Sequence, residues 1–305
     1  MFPPPPALKQ PRTSPLKRVS RRAVYLLMRA IALLCRVRSQ WFLYRLGTFL
    51  GDLTYLLPLR LRRVALSNLR RAYPQFSPAE IRRLCRSNLR LFGKNLVEFL
   101  HSPCLSREDI RSRVKLQGLE FLHGAFKQGK GVICLTAHFG NWEWMGARIT
   151  ADGFPLAVIA RPHDDPATSA FIDSIRIHNG LKVIPRHDVR AALRSLRRQE
   201  ILAVLADQHA GKAGIPVPFF GRPASTFPGI AALALRSGAP IIPCFIVRMP
   251  DNTHVATICP PVQLISGDDT QETIRANVAL CTKIIEDQIR CYPDHWMWIH
   301  NRWKS

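Results

Sequence analysis

From Leu116 onward this 305-residue chain alternates short apolar runs with helical stretches, and that alternation limits its possible folds more than any other feature. Short β-branched or apolar runs at 131–136, 155–160, 181–185, 201–206 and 241–247 have the length of strands. Helical patterns fall between them near 117–129, 141–152, 166–179, 188–198 and 225–237. Strands separated by helices cannot form hairpins, so the expected fold class is α/β, with a mainly parallel sheet flanked by helices. A hairpin-like piece at 254–259 and a long helix over about 270–291 close this region. Residues 116–305 are expected to form the α/β domain.

The preceding third is different in kind. Residues 1–20 are Pro-rich and basic, cannot build a core, and carry no small-residue cleavage site after a clean apolar stretch. They are expected to be a disordered tail and not a removable signal peptide. The segments 23–35 and 41–59 are apolar, but Arg29, Arg45 and Asp52 interrupt them. Neither offers eighteen uninterrupted apolar residues, the minimum for a secure span. Arg at their ends and Trp or Tyr near their edges favour helices lying in a membrane interface over a pair of core helices. A basic helix over 59–73 ends at Pro74. Ser77-Pro78-Ala79-Glu80 supplies an N-cap, a proline in the first turn and a first-turn acid for a helix running to about Leu100. Residues 21–115 thus read as a helical, basic, membrane-associating region.

Charge supports an anionic partner surface. The formal net charge is +23, and residues 1–100 hold 20 Lys and Arg against 3 Asp and Glu. Candidate partners are anionic lipid, a phosphorylated substrate or nucleic acid. Nucleic acid is disfavoured, because no aromatic–basic interleaving or helix-turn-helix pattern is evident. The eight cysteines form no C-x-x-C and fit no zinc spacing, so free thiols are expected. Cys134, in a strand run, reads as a packing residue. His163-Asp164-Asp165, His187-Asp188 and Asp207-Gln208-His209 do not share a helix face at ligand spacing, so no metal site is expected.

The chemistry concentrates at one corner. The run Val132–Leu135 is followed by Thr136-Ala137-His138-Phe139-Gly140-Asn141-Trp142-Glu143. A strand that ends in small residues before a helix lifts His138 to the carboxyl edge of the sheet, where open α/β sheets place ligands. Glu143 follows by about one helical turn, close enough to swing back toward the imidazole. A carboxylate beside a histidine fixes its tautomer and raises its basicity, which suits removal of a hydroxyl proton. A structural histidine beside an exposed first-turn Glu143 is the competing reading. Backbone N–H groups around Phe139 to Asn141, including Gly140, and the Asn141 side chain are candidate oxyanion donors. Asn141 is equally suited to capping the helix.

Other strand ends supply further candidates. Arg161 ends the 155–160 run and could take a phosphate or carboxylate in a bidentate fork. Asp207 and Gln208 follow the 201–206 run; Asp207 could bind sugar hydroxyls, orient Arg161 or simply cap its loop. Arg222, after Phe219-Phe220-Gly221, is a second anion-binding candidate or a solvated loop arginine. Val217 to Phe220, Phe227 and the Trp296-Met297-Trp298 cluster offer apolar mass for an acyl slot, for core, or for an interface belt. No G-x-S-x-G is present, so the sequence offers no serine-nucleophile elbow.

His138-Phe-Gly-Asn-Trp-Glu143 resembles the H-x4-D/E box of the lipid A biosynthesis (lauroyl/myristoyl) acyltransferase family, within the lysophospholipid acyltransferase superfamily. Ala160-Arg161-Pro162, Ala206-Asp207-Gln208, Gly214 to Ala224 and Tyr292 to Lys304 resemble that branch in the same order. The resemblance covers about Leu43 to Lys304. It departs where Arg29 breaks a short N-terminal apolar segment, and at His300-Asn301-Arg302, where two adjacent arginines are commoner. The resemblance implies a glycerolipid acyltransferase-like fold and an O-acyltransferase using His138 and Glu143. It implies an acyl carrier protein thioester as donor, with acyl-CoA the alternative, and no further cofactor. The implied acceptor is a membrane glycolipid, foremost a lipid A precursor. A phosphatidylinositol mannoside, an aminolipid, or a noncatalytic membrane scaffold are the other readings. The implied location is the cytoplasmic face of the bacterial inner membrane, peripheral or shallowly inserted.

Overall fold

The computed structural model describes residues 15–36, 39–57 and 60–304. Five helices come first: α1 (Pro15–Leu34), α2 (Gln40–Leu56), α3 (Arg60–Ala72), α4 (Pro78–His101) and α5 (Arg107–Arg113). Alternation follows: β1 (Val114–Gln117), α6 (Leu119–Phe126), β2 (Val132–Thr136), α7 (Trp142–Ala151), β3 (Leu156–Ala160), α8 (Pro166–His178), β4 (Leu181–Pro185), α9 (Val189–Arg197) and β5 (Ile201–Leu205). A hairpin, β6 (Ile215–Phe219) and β7 (Arg222–Thr226), precedes α10 (Gly229–Ser237), β8 (Ile241–Arg248), β9 (His254–Ile258) and α11 (Thr270–Cys291).

The expected mainly parallel sheet is present. Seven strands run in the order β1-β9-β8-β2-β5-β3-β4. Only β8 and β9 pair antiparallel. All five residues of β2 are buried, as befits a central strand covered on both faces. Two apolar clusters flank the sheet, one including Ile133, Leu135 and Phe245 and the other Cys134, Ile242 and Trp144. Cys134 is buried and free, as a packing residue would be.

Three details differ from the sequence reading. Of the expected tail, residues 1–14 lie outside the described residues, whereas 15–20 are already helical. The stretch after Gly214 is a two-stranded hairpin, and the helix expected from 225 starts at Gly229 because β7 occupies 222–226. The division at 115/116 does not separate two cores. Leu69 of α3 and Ile81, Cys85 and Leu89 of α4 join the same apolar cluster as Ile133 of β2.

The N-terminal helices sit unusually close together. A side chain at Gly51 would meet the Arg90 main chain at 2.4 Å, and one at Gly93 would meet the Gly47 carbonyl oxygen at 2.1 Å. Only hydrogen at these positions lets α2 lie directly on α4. Asp52, which interrupts the apolar pattern, faces this contact. Arg90 donates to it at 2.8 and 2.7 Å, and Arg86 at 2.7 Å. These bonds from Arg90 and Arg86 hold its carboxyl low, at about 2. The opposite side is apolar and open: Leu26, Leu27, Leu33, Trp41, Phe49 and Leu56 are all exposed. Among the described residues, no helix is long and apolar enough to cross a membrane.

Candidate active site at the carboxyl edge of the sheet

Register builds this site. β2 and β5 are parallel neighbours, and Thr136 at the end of one pairs with Leu205 at the end of the other. Each chain then runs two residues further, to His138 and to Asp207. Asp207 accepts from the His138 main-chain N–H at 3.0 Å, and its other oxygen lies 2.9 Å from His138 Nδ1. The Trp296 indole N–H donates to the same carboxylate at 2.7 Å. Burial alone would raise the Asp207 carboxyl, but the facing His138 and these hydrogen bonds reverse the effect and hold it below the ordinary value. A carboxylate on Nδ1 places the proton there and leaves Nε2 with the lone pair. Gln208 Nε2 lies 3.3 Å from that nitrogen. The His138 side chain is 21% exposed and Asp207 only 1%, so a ligand can reach the imidazole but not the carboxylate behind it.

Glu143 has a different partner from the one expected. It is the second residue of α7, and Arg176 of α8 captures it at 2.6 Å. The Trp142 indole also donates to it, at 3.1 Å. Trp142 in turn stands edge-on to the His138 ring, with centroids 5.1 Å apart. Glu143 therefore reaches His138 through Trp142, and Asp207 is the carboxylate that holds the imidazole. Nor does Asp207 orient Arg161, since both its oxygens serve His138 and Trp296.

The expected oxyanion donors are largely occupied. The Gly140 N–H donates to the His295 carbonyl at 2.9 Å and the Phe139 N–H to Ala137 at 2.7 Å. Gly140 has φ +56°, and a Cβ there would stand 1.9 Å from the Ile246 carbonyl oxygen, so glycine is required at this turn. Asn141 caps α7 by accepting from the Trp144 N–H at 3.1 Å, and its amide donates to Glu98 at 2.7 Å. Its side chain is thus structural. Arg161 is on the same sheet edge but largely exposed, with only Asp164 near it at 3.5 Å. Arg222 lies elsewhere, donating to the Arg71 carbonyl of α3 at 3.3 Å.

Sequence reasoning missed what holds the corner in place. Residues 294–300 run alongside it: Phe139 and Trp296 form an antiparallel bridge, and the Met297 N–H donates to the His138 carbonyl at 2.9 Å. Three buried asparagines on α3 and α4 clamp this layer. Asn88 donates to the carbonyls of Asp294 and Trp296, both at 2.7 Å. Asn68 donates to Trp298 at 2.8 Å and His300 at 2.6 Å, and Asn95 to Gly140 at 2.7 Å. A signal existed. Ser-Asn-Leu-Arg occurs at both 67–70 and 87–90, each time placing the Asn on its helix's apolar face. Beneath lies Glu98, bound by Arg248 at 2.8 Å and by Asn141. Trp296 and Trp298 are fully buried, so the cluster is core and not an interface belt.

Residues 10–305 match the family model described as bacterial lipid A biosynthesis acyltransferase. The lipid A biosynthesis lauroyltransferase of Escherichia coli (strain K12) is 27% identical over 265 residues, spanning 86% of this chain and 85% of that protein. The palmitoleoyltransferase of the same strain is 28% identical over 262 residues, 85% of this chain and 84% of its own length. A phosphatidylinositol mannoside acyltransferase of Mycobacterium tuberculosis (strain CDC 1551 / Oshkosh) is 25% identical over 234 residues, 72% of this chain and 70% of that one.

Proposed function

We infer the function from the family to which this chain belongs, the bacterial lipid A biosynthesis acyltransferases. It is an O-acyltransferase. The specific reading is transfer of a fatty acyl chain from an acyl carrier protein thioester, or acyl-CoA, to a hydroxyl of a membrane glycolipid, foremost a lipid A precursor. The observation that carries the chemistry is the 2.9 Å contact of His138 Nδ1 with buried Asp207, which leaves Nε2 to act as base.

In this reading the acceptor hydroxyl displaces the Gln208 amide from Nε2. His138 takes the hydroxyl proton as the oxygen attacks the thioester carbonyl, and Asp207 stabilises the imidazolium that forms. Collapse of the tetrahedral intermediate expels the thiolate, which recovers the proton from His138. The main-chain N–H groups of Trp142 and Glu143 have no hydrogen-bond partner among the described residues and lie at the positive end of α7. With the Asn141 N–H, likewise without a partner among the described residues, they are the candidate donors for the oxyanion. The exposed apolar residues of α1 and α2 support peripheral or shallow seating on the cytoplasmic face of the inner membrane. A +23 chain would also steer an acidic carrier protein toward itself.

Mass spectrometry of lipids from cells with and without the protein tests this reading. A lipid A species heavier by one acyl chain only when the protein is present supports it. Acyl gain on a phosphatidylinositol mannoside or an aminolipid would move the acceptor, and no change in any lipid would leave a scaffold. The mannoside alternative has its own support in the mycobacterial relative.

A further inference from the structure

One face of α3 gathers cations that meet no acid among the described residues. Arg60, Arg63, Ser67 and Arg71 follow one another at intervals of three or four residues and so share a side of the helix. They line, with Asn68 and Asn301, a cleft of about 390 Å³ whose walls include three arginines and no carboxylate. Asn68 spends its amide on main-chain carbonyls and Arg71 gives one nitrogen to the Trp303 carbonyl at 3.0 Å, so the Arg60 and Arg63 guanidinium forks, the rest of Arg71 and the Ser67 hydroxyl are the groups that match the oxygens of a phosphate. The floor is not incidental to the active site. Asn68 binds the Trp298 and His300 carbonyls, while Trp296 and Met297 of the same segment bind Asp207 and the His138 carbonyl. The segment that braces the His138 corner is thus tied to α3 through Asn68, and its Asn301 reaches the cleft.

The surroundings select the source of the phosphate. Leu61, in the first turn of α3, is 42% exposed, and Leu56 and Leu57 at the end of α2 are 67% and 42% exposed. Apolar side chains this open beside a basic cleft suit a lipid whose headgroup is anionic and whose chains lie in the bilayer.

We propose that the α3 cleft binds the phosphate of a membrane lipid. This rests on the glycolipid acceptor reading above, in which the foremost acceptor, a lipid A precursor, is a phosphorylated glycolipid. Bulk anionic phospholipid is the other source of the same chemistry.

The test is binding of the full chain to phosphatidylcholine vesicles, read by flotation, so that turnover is not involved. Three vesicle types carry a phosphorylated disaccharide glycolipid, the same glycolipid without phosphate, or phosphatidylglycerol. The cleft variant is Arg60→Gln/Arg63→Gln, both exposed positions; the control is Arg82→Gln/Arg83→Gln, which removes the same charge from α4. The cleft variant should lose about tenfold or more in affinity for the phosphorylated glycolipid and the control little, with binding to the vesicles that carry the unphosphorylated glycolipid in zwitterionic phosphatidylcholine unaffected by either. An equal loss for phosphatidylglycerol supports the cleft and names bulk phospholipid as the source; a loss confined to the glycolipid names the acceptor. Equal losses in cleft variant and control, or no preference of the wild type for phosphate, would overturn the proposal. So would a loss confined to binding of an acidic acyl carrier protein. A chain that binds the phosphate yet acylates no lipid would sink the acyltransfer reading and leave this one standing.

Discussion

The carboxyl edge of the sheet and the outer surface of α1 to α3 handle polar and apolar groups in opposite ways. At the edge, Asp207 holds His138, Glu143 holds Arg176, Glu98 holds Arg248, and three asparagines hold the main chain around them. On the outer surface, leucines and aromatic residues stand in solvent, and the arginines of α3 surround an open cleft. The first region finds its partners within the chain, so its geometry is set before any substrate arrives. The second leaves its apolar side chains exposed and its cleft arginines without an acidic partner among the described residues. α4 joins the two, facing α2 with Gly93 and the active corner with Asn88 and Asn95.

The sharpest way to break this contrast is at the base. His138→Ala or Asp207→Asn should lower turnover by about two to four orders of magnitude with folding intact. Steady-state kinetics on protein with native circular dichroism checks it. If Asp207→Asn stays within tenfold of wild type while Glu143→Gln is inactive, Glu143 is the working partner and the internal wiring described here is wrong. Glu143→Gln should cost turnover on the order of tenfold, because it acts through Trp142, and Glu143→Gln/Arg176→Gln should be less than multiplicative. Independent losses would separate the two residues.

The asparagine clamps give a stability effect. Asn88→Ala leaves two buried carbonyls without their donor and should destabilise the fold by about 1–3 kcal/mol in urea melts. A change inside experimental error would mean that the segment 294–300 is held by its tryptophans alone.

Acid should loosen the same layer. Burial lowers the His300 pKa from 6.5 to about 4, and its Nε2 accepts from the His209 N–H at 3.2 Å. Between those values the unfolded chain binds a proton that the folded chain refuses. Stability therefore falls as pH drops from 6.5 toward 4. His300→Asn should flatten that part of the profile, and an unchanged slope would remove His300 from the account. The smallest effect on stability belongs to the outer surface. Leu27→Ser/Leu56→Ser should change it by no more than about 0.5 kcal/mol, yet weaken vesicle binding several-fold. A large loss of stability instead would make these leucines core residues.

The strands were legible because each is a short apolar run, and β2, β3, β4, β5 and β8 lie within about a residue of those runs. β1 and the β6–β7 hairpin were not. One has four residues at a sheet edge, and the other contains Pro216, Pro218 and Pro223. At the site, His138, Asp207 and Gln208 each stood out as residues at strand ends. Their mutual contact did not, because it depends on β2 and β5 being neighbours in register. Glu143 looked like the partner because it was near in sequence; Arg176, thirty-three residues on, competes for it successfully. The clamps were hidden by a bland property, since an asparagine on an apolar helix face announces nothing until the carbonyl it meets is known.

The segment 294–303 has a consequence for biosynthesis. It supplies the indole on Asp207, the amide on the His138 carbonyl and the acceptor for the His209 N–H, and it follows every strand and helix of the fold in the chain. A nascent chain can assemble the entire sheet and still lack these bonds. The corner that carries His138 is therefore completed only when the last stretch of the fold has emerged and docked beneath α3 and α4. Until then a half-made chain has His138 but not the bonds that hold it in place.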